Sequence, residues 1–431
     1  MKKNALVALG GGPSPVINAS LLGVIDACRD YGGAGSVFGA LHGIEGVLKE
    51  ELVDLAAEDM GELAKLRYTP ASGAIGTCRY KLGAGAREDY DRILDVLLAH
   101  DVGYFFYIGG NDSMDTAHKV GLLAQQRGAE LAVAGVPKTI DNDLGDEART
   151  IIDHTPGYGS TARYWAMAVK DAIEENRGMY VSEPVCVLQA MGRKAGFITA
   201  AARLADPGRE EPIQLYFAET GGGLDFLYDN VTRLLRERGR AIVVVNEGYD
   251  VGGTGGAVDG FGHLEYGAGE TTAAQAVVNM LNSRGLPVRG NATGQIPGVL
   301  QRDTSLARSA VDEEEAYEAG RHAVKVVVEE GSGYMATILR DAAEEAEGRY
   351  KAVYGKVPLD VVANSARVLP PGWIAEGGLD VTDAFLAYAA PLIGGDARPI
   401  PMKGGLPDFA RLRRARVPKK CVDYTPQNYR I

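Results

Sequence analysis

Disulfides, zinc and membrane spans are all poorly provided for in this chain of 431 residues. The four cysteines, Cys28, Cys78, Cys186 and Cys421, have no CxxC spacing and no histidine at ligand intervals, which argues against a disulfide framework or a zinc centre and fits a reducing cytoplasm. No run approaches the roughly 20 apolar residues of a membrane helix. Lys2-Lys3 ahead of Ala5 to Leu9 imitates a signal peptide only faintly, because the run is short and ends in three glycines. Positive charge is also scarce. Lys and Arg number 45 against 57 Asp and Glu, and the net charge of −12 disfavours nucleic acid or an anionic membrane as partner. An anionic substrate must therefore meet a local basic pocket. The GxGxxG and GxxxxGK[ST] fingerprints are missing as well, which sets a nucleotide-binding dehydrogenase aside.

What is present is ordinary globular composition, 46% hydrophobic and 24% charged, and a length that suggests about two or three domains. One pattern recurs: an apolar strand, a polar loop bearing glycine, then a helix. Ala5 to Leu9 leads into Gly10-Gly11-Gly12-Pro13-Ser14-Pro15 and a helix from Val16 to Cys28; Gly103 to Ile108 leads into Gly109-Gly110-Asn111-Asp112-Ser113 and a helix through Val120. Pro184 to Gln189 leads into Met191-Gly192-Arg193 and the helix Phe197 to Leu204, and Arg240 to Val245 ends in Asn246-Glu247-Gly248. Such a series predicts an α/β protein with two Rossmann-like lobes, mainly parallel sheets and a cleft between the lobes into which the loops project. The turn-rich text from Asp153 to Ser160 reads as the lobe boundary. His42 to Gly46 is expected as a loop, Ile296 to Arg302 as a short strand, and the basic stretch Arg411 to Lys420 as a surface extension or subunit contact.

The loop Pro137-Lys138-Thr139-Ile140-Asp141-Asn142-Asp143 closes the apolar run Leu131 to Val136 and carries two carboxylates two residues apart. At the carboxyl end of a buried parallel strand both would face a crevice. A turn with a helix cap explains Thr139, Asp141, Asn142 and Asp143 equally well when they are taken alone, and capping likewise explains Asp112 and Ser113. For Arg79, at the end of a small-residue loop, the bland alternative is a solvated surface side chain. Capping does not explain five such loops, each with glycine, carboxylate or cation. Close backbone donors, a metal seat, positive charge and a base are what phosphoryl transfer requires.

In this order, the motifs at 10–15, 109–113, 137–143, 191–193, 246–248 and Leu300-Gln301-Arg302 resemble those of the phosphofructokinase family across residues 5 to 345. The resemblance implies the fold of that family and makes Asp141 the base for a sugar 1-hydroxyl, with Arg193, Thr139 and Lys138 beside it. It places Gly11, Arg79, Asp112 and Lys138 around the phosphoryl donor. Thr139, Ile140, Asp141, Met191, Gly192, Arg193, Glu247 and Arg302 fall around the sugar phosphate, and Asn111 and Asp143 around Mg2+. It also implies a donor lobe of residues 1–152 plus about 303–345, a sugar-phosphate lobe of 153–302, an extension of 346–431, and a homodimer or homotetramer. Members that use ATP have glycines where this chain has Asp112 and Lys138; an Asp crowds and repels an α-phosphate while a Lys adds a cation, so the shorter donor, pyrophosphate, is expected. Fructose 6-phosphate is the expected acceptor. Pro184, Thr293 and Val299 stand where ATP-dependent members have Arg, Arg and His, with Arg289 a substitute for the second if the loop is longer, so sedoheptulose 7-phosphate or another sugar phosphate is an alternative. Further alternatives are an ATP-dependent enzyme and an inactive regulatory subunit.

Overall fold

The computed structural model describes residues 2–83, 85–253, 257–258, 264–266, 269–363, 365–395 and 398–429. The chain begins with β1 (Asn4–Leu9), α1 (Ile17–Tyr31), β2 (Val37–Ala40), α2 (Ile44–Leu48), β3 (Leu52–Asp54) and α3 (Met60–Ala64). It continues with α4 (Arg87–Ala99), β4 (Val102–Gly109), α5 (Asn111–Gln126) and β5 (Ala132–Pro137). Next come α6 (Tyr158–Met179), β6 (Val185–Ala190), α7 (Phe197–Ala201), β7 (Ile213–Tyr216), α8 (Gly223–Arg238) and β8 (Ala241–Asn246). A small hairpin, β9 (Ala257–Val258) and β10 (Leu264–Glu265), precedes α9 (Ala273–Arg284), β11 (Ala292–Gln295) and α10 (Leu300–Asp303). Then follow α11 (Ala310–Glu330), β12 (Tyr334–Arg340), α12 (Ala342–Ala346), β13 (Ala352–Pro358), α13 (Leu359–Ala363) and α14 (Asp383–Ala389).

Two sheets form the framework, as the alternation of strands and helices predicts. The larger runs β13-β12-β5-β4-β1-β2-β3, parallel through its middle with an antiparallel strand at each edge. The smaller, β11-β6-β8-β7, is parallel throughout. Inner strands such as β1 and β8 read as unbroken apolar runs because helices cover both faces, whereas the edge strands β11 and β13 are more polar and partly exposed. One face of the large sheet packs Val7 and Leu9 against Leu21 and Val24 of α1 and Ala323 and Val327 of α11; the other packs Leu6 and Ala8 with Ile93 and Leu97 of α4 and Met114 of α5. Strand order reverses between β4 and β1, and again between β6 and β8, so the carboxyl ends of these four strands open crevices.

Two local expectations change, and a third gains detail. His42 to Gly46 is not all loop: Gly43, at φ +64°, turns the chain directly into α2. The strand expected at 296–302 lies earlier, as β11, because Pro297 and Gly298, the latter at φ +54°, end it before α10. The basic stretch covers a sheet edge, with Asp54 N–H donating to the Ala415 carbonyl at 2.9 Å and Val417 N–H to that of Leu52 at 3.0 Å. Covering β3 removes an open edge.

Helices α1 and α11 touch backbone to backbone. A Cβ on Gly23 would lie 2.0 Å from the Tyr317 carbonyl oxygen, and one on Gly320 would lie 2.2 Å from that of Ser20. Gly320→Ala is therefore expected to separate the helices and cost about 1–3 kcal/mol, as overpacking does. Urea unfolding checks this; an unchanged midpoint would show that the contact has slack.

Candidate active site

All the residues that the sequence singles out for chemistry, Gly192 apart, line one cavity of about 680 Å³, counting its space open to solvent. From the large sheet come Gly11 after β1, Asn111 and Asp112 at the start of α5, Lys138 to Asp141 and Asp143 after β5, and Arg79 from an irregular segment. From the small sheet come Met191 and Arg193 after β6, Glu247 after β8, and Arg302 in α10. Gly192 lies just behind, at φ +125°, where a Cβ would meet the Ala195 carbonyl oxygen at 2.4 Å. Gly12, Pro13, Gly110 and Ser113 complete the lining on the first side.

The two sides are held differently. Buried Lys138 donates from Nζ to the Gly12 carbonyl at 2.6 Å, tying the loop after β5 to the loop after β1. Gly11, at φ +78°, donates its N–H to the Cys78 carbonyl at 3.0 Å and so brings the Arg79 segment alongside. Opposite, Glu247 Oε1 accepts the N–H groups of Gly192 at 3.1 Å and Arg193 at 2.8 Å, which fixes the 191–193 turn. Arg193 Nε stands 3.9 Å from Asp141 Oδ2, across the cleft.

Three titratable groups are displaced from their usual ranges. Burial, then the neighbouring Asp143, pushes the Asp141 carboxyl up to about 6, against the pull of Arg193, Lys138 and Arg302. Burial pushes the Lys138 ammonium down to about 7, with Asp141 the main opposing influence. Burial and Asp141 push Glu247 up to about 7, while its two backbone donors pull the other way. Several charges held half out of water beside a cavity are what a site for proton and phosphoryl transfer needs.

Capping accounts for part of this loop and not the rest. Thr139 Oγ1 does accept the Asp141 N–H at 3.1 Å, a local turn. Asp112 and Ser113 do not cap α5: its N-cap is Gly110, with no side-chain bond, and both residues face the cavity. His42 lies against Gly76 and outside the cavity lining. Pro184, Arg289, Thr293 and Val299 are also outside it.

Arg367 and Tyr388 carry no motif and hold the centre from beneath. Asn142, between the two aspartates, is buried in the left-handed region at φ +57°. Arg367 donates to its carbonyl and to its Oδ1, each at 2.7 Å, and to the carbonyls of Ile152 at 2.8 Å and Asp153 at 3.0 Å. Asn142 Nδ2 donates to Tyr388 Oη at 2.9 Å, and Thr155 N–H donates to Asn142 Oδ1 at 3.1 Å. Gln301 similarly accepts the Met191 N–H at 3.0 Å and Trp165 Nε1–H at 2.9 Å.

A family model described as Phosphofructokinase matches residues 4–327, and the chain belongs to that family. It is 37% identical to a pyrophosphate–fructose 6-phosphate 1-phosphotransferase of Halomonas elongata over 98% of this chain and 99% of that protein. A protein of the same name from Methylococcus capsulatus is 36% identical over 97% and 98%. Among solved structures, a pyrophosphate-dependent phosphofructokinase from Nitrosospira multiformis superposes with a TM-score of 0.87 at 37% identity, covering 99% of this chain and 100% of that one.

Replacing Arg367 by Met should free the Asp141–Asp143 turn and take the guanidinium donor from the main-chain carbonyls of Asn142 and Ile152, while Asn142 Oδ1 keeps the Thr155 N–H and the Asp153 carbonyl keeps the Tyr388 hydroxyl. A stability loss of at least about 2 kcal/mol is expected from such orphaned acceptors, together with a fall in turnover. Urea unfolding and a phosphoryl-transfer assay measure both; wild-type turnover would show that Asn142 holds the turn unaided.

Proposed function

We propose that the chain transfers a phosphoryl group from inorganic pyrophosphate to the 1-hydroxyl of fructose 6-phosphate, giving fructose 1,6-bisphosphate and phosphate. The observation that carries this reading is the joint presence of Lys138 and Asp112 on the donor side of the cavity. Lys138 Nζ lies 3.2 Å from where a Cβ on Gly11 would stand, and the Asp112 carboxylate, 3.5 Å from Lys81 Nζ, lines the same wall. Lys138 supplies positive charge for a compact diphosphate, while the Asp112 carboxylate crowds and repels the α-phosphate of a nucleotide.

In this reading the Asp141 carboxylate takes the proton of the 1-hydroxyl as its oxygen attacks the nearer phosphorus; the bridging P–O bond breaks and phosphate leaves. A base near neutrality is matched to that task, and burial has moved Asp141 in that direction. Arg193 and Lys138 offset charge on the transferred group, Thr139 and Ile140 orient the sugar, Arg302 lines the sugar-phosphate pocket, and Gly11 and Arg79 hold the far phosphate. Met191, Gly192 and Glu247 shape the sugar pocket.

Asp143 and Asn111 line the cavity with hard oxygen ligands, and among the described residues no cluster of three or more His, Cys, Asp or Glu side chains forms a ready-made metal cage. Asp143 and Asn111 would hold Mg2+ through those oxygens, and the ion would neutralise phosphate charge when bound.

The donor lobe we assign to residues 1–152 with 303–345, the sugar lobe to 153–302. The exposed apolar side chains Ile296, Val299, Leu300 and Leu306 around Arg302 support a homodimer or homotetramer whose second copy covers this face. The net charge of −12 supports leaving nucleic acid and membrane out of the partner set, and among the described residues no helix is long and apolar enough to cross a membrane. A cytoplasmic setting accords with four unpaired cysteines.

Assays of the purified protein with fructose 6-phosphate should show turnover with pyrophosphate and none with ATP; the reverse result rejects the donor assignment. Asp141→Ala is expected to lower turnover by at least about 10²-fold, as loss of a general base does. Near-normal turnover of that variant rejects its role as base.

A further inference from the structure

Residues 421–429 reach back across the molecule to the segment that carries Arg79. Asp89, in the first turn of α4 and wholly buried, joins the two. Its Oδ2 accepts the Tyr80 hydroxyl at 2.6 Å, and its Oδ1 accepts the Tyr424 hydroxyl at 2.6 Å and the Gln427 N–H at 3.1 Å. Asn428 donates its N–H to Tyr80 Oη and its Nδ2–H to the Lys81 carbonyl, both at 3.2 Å. The Tyr429 ring meets that of Tyr80 edge to face, with centroids 5.8 Å apart, and the Lys49 ammonium lies 4.8 Å from the centre of the Tyr429 ring.

Arg79 therefore sits between two anchors. Upstream, the Cys78 carbonyl accepts the Gly11 N–H at 3.0 Å. Downstream, residues 79–83 form neither helix nor strand, so no regular ladder fixes them. We propose that residues 421–429 are a strap that positions Arg79 for the pyrophosphate donor by pinning Tyr80 and Lys81, with Tyr424 and Asp89 as its positioning residues. The proposal rests on the reading of Arg79 as a donor-binding side chain. The strap lies beyond residues 4–327, the part matched by the family model, and its contacts with Lys49, Tyr80, Lys81 and Asp89 all fall on donor-side residues. Losing it takes two of three hydrogen-bond donors from a buried carboxylate, which a chain relieves by letting the surrounding segment open to water.

The test is deletion of residues 423–431 from the full chain, with Tyr424→Phe as a milder variant that keeps the ring and removes one donor. Hydrogen exchange is followed at the amides of residues 79–82, thermal unfolding is recorded, and KM is measured for each substrate. The strap predicts faster exchange at 79–82 and a KM for pyrophosphate raised about tenfold on deletion, with kcat and KM for fructose 6-phosphate within about twofold. Tyr424→Phe should move the same two readouts less, and it decides the matter if the truncated chain does not fold. Unchanged exchange and unchanged KM for pyrophosphate would overturn the proposal. So would a parallel loss of kcat and of affinity for both substrates that tracks a lowered unfolding midpoint. Arg79→Met separates the strap from the reading beneath it. If that variant keeps wild-type KM for pyrophosphate, the donor role of Arg79 is wrong; if it raises KM while the strap variants do not, the strap alone is wrong.

Discussion

The bond from the Lys138 ammonium to the Gly12 carbonyl, at 2.6 Å, decides how the centre is built. A buried cation is costly unless carboxylates stand near it, and Asp141 and Asp143 meet that need three and five residues further along the same loop. The Asp141 carboxyl is in turn driven toward protonation by burial and by the neighbouring Asp143, and Arg193, Lys138 and Arg302 restrain it. Lys138, Asp141 and Asp143 are mutually dependent: remove the lysine and two half-buried carboxylates face each other; remove the carboxylates and the lysine is stranded.

Such a cluster needs a rigid floor. It comes from distant parts of the chain, because a loop of seven residues cannot fix its own left-handed turn at Asn142. Arg367 and Tyr388 supply that floor from beneath, and Glu247 fixes the facing turn at Gly192 and Arg193. Both sheets place their switch points against the same cavity, so donor-side and acceptor-side residues converge although β5 and β6 belong to different sheets.

Apart from Arg79 and Arg302, the rim of the site was legible in the sequence because its residues lie where buried strands stop. Leu131 to Val136 followed at once by Pro-Lys-Thr, or Tyr107-Ile108 by paired glycines, marks a strand end whatever the tertiary fold. The floor was not legible. Arg367 lies 225 residues from Asn142 in the chain, and a lone Arg between Ala366 and Val368 looks like any surface cation. Asp89 reads as an ordinary acidic residue in the first turn of α4, and nothing in the sequence says that its carboxylate accepts from Tyr80, Tyr424 and Gln427. The misplaced strand before Arg302 failed on turn chemistry: Pro297-Gly298 breaks the run, and the apolar residues that follow are exposed rather than buried. Capping and catalytic readings of Thr139 also proved compatible, since one hydroxyl makes the local turn and still borders the cavity.

The central claim is physical, that burial among like and unlike charges has raised one carboxyl into the range of a useful base. Carbon-13 NMR of protein labelled in its aspartate carboxyls, with Asp141→Asn to assign the signal, measures it directly. The Asp141 carboxyl should titrate near pH 6 in the free protein; a titration near 4, the value of an ordinary aspartate, would contradict the account.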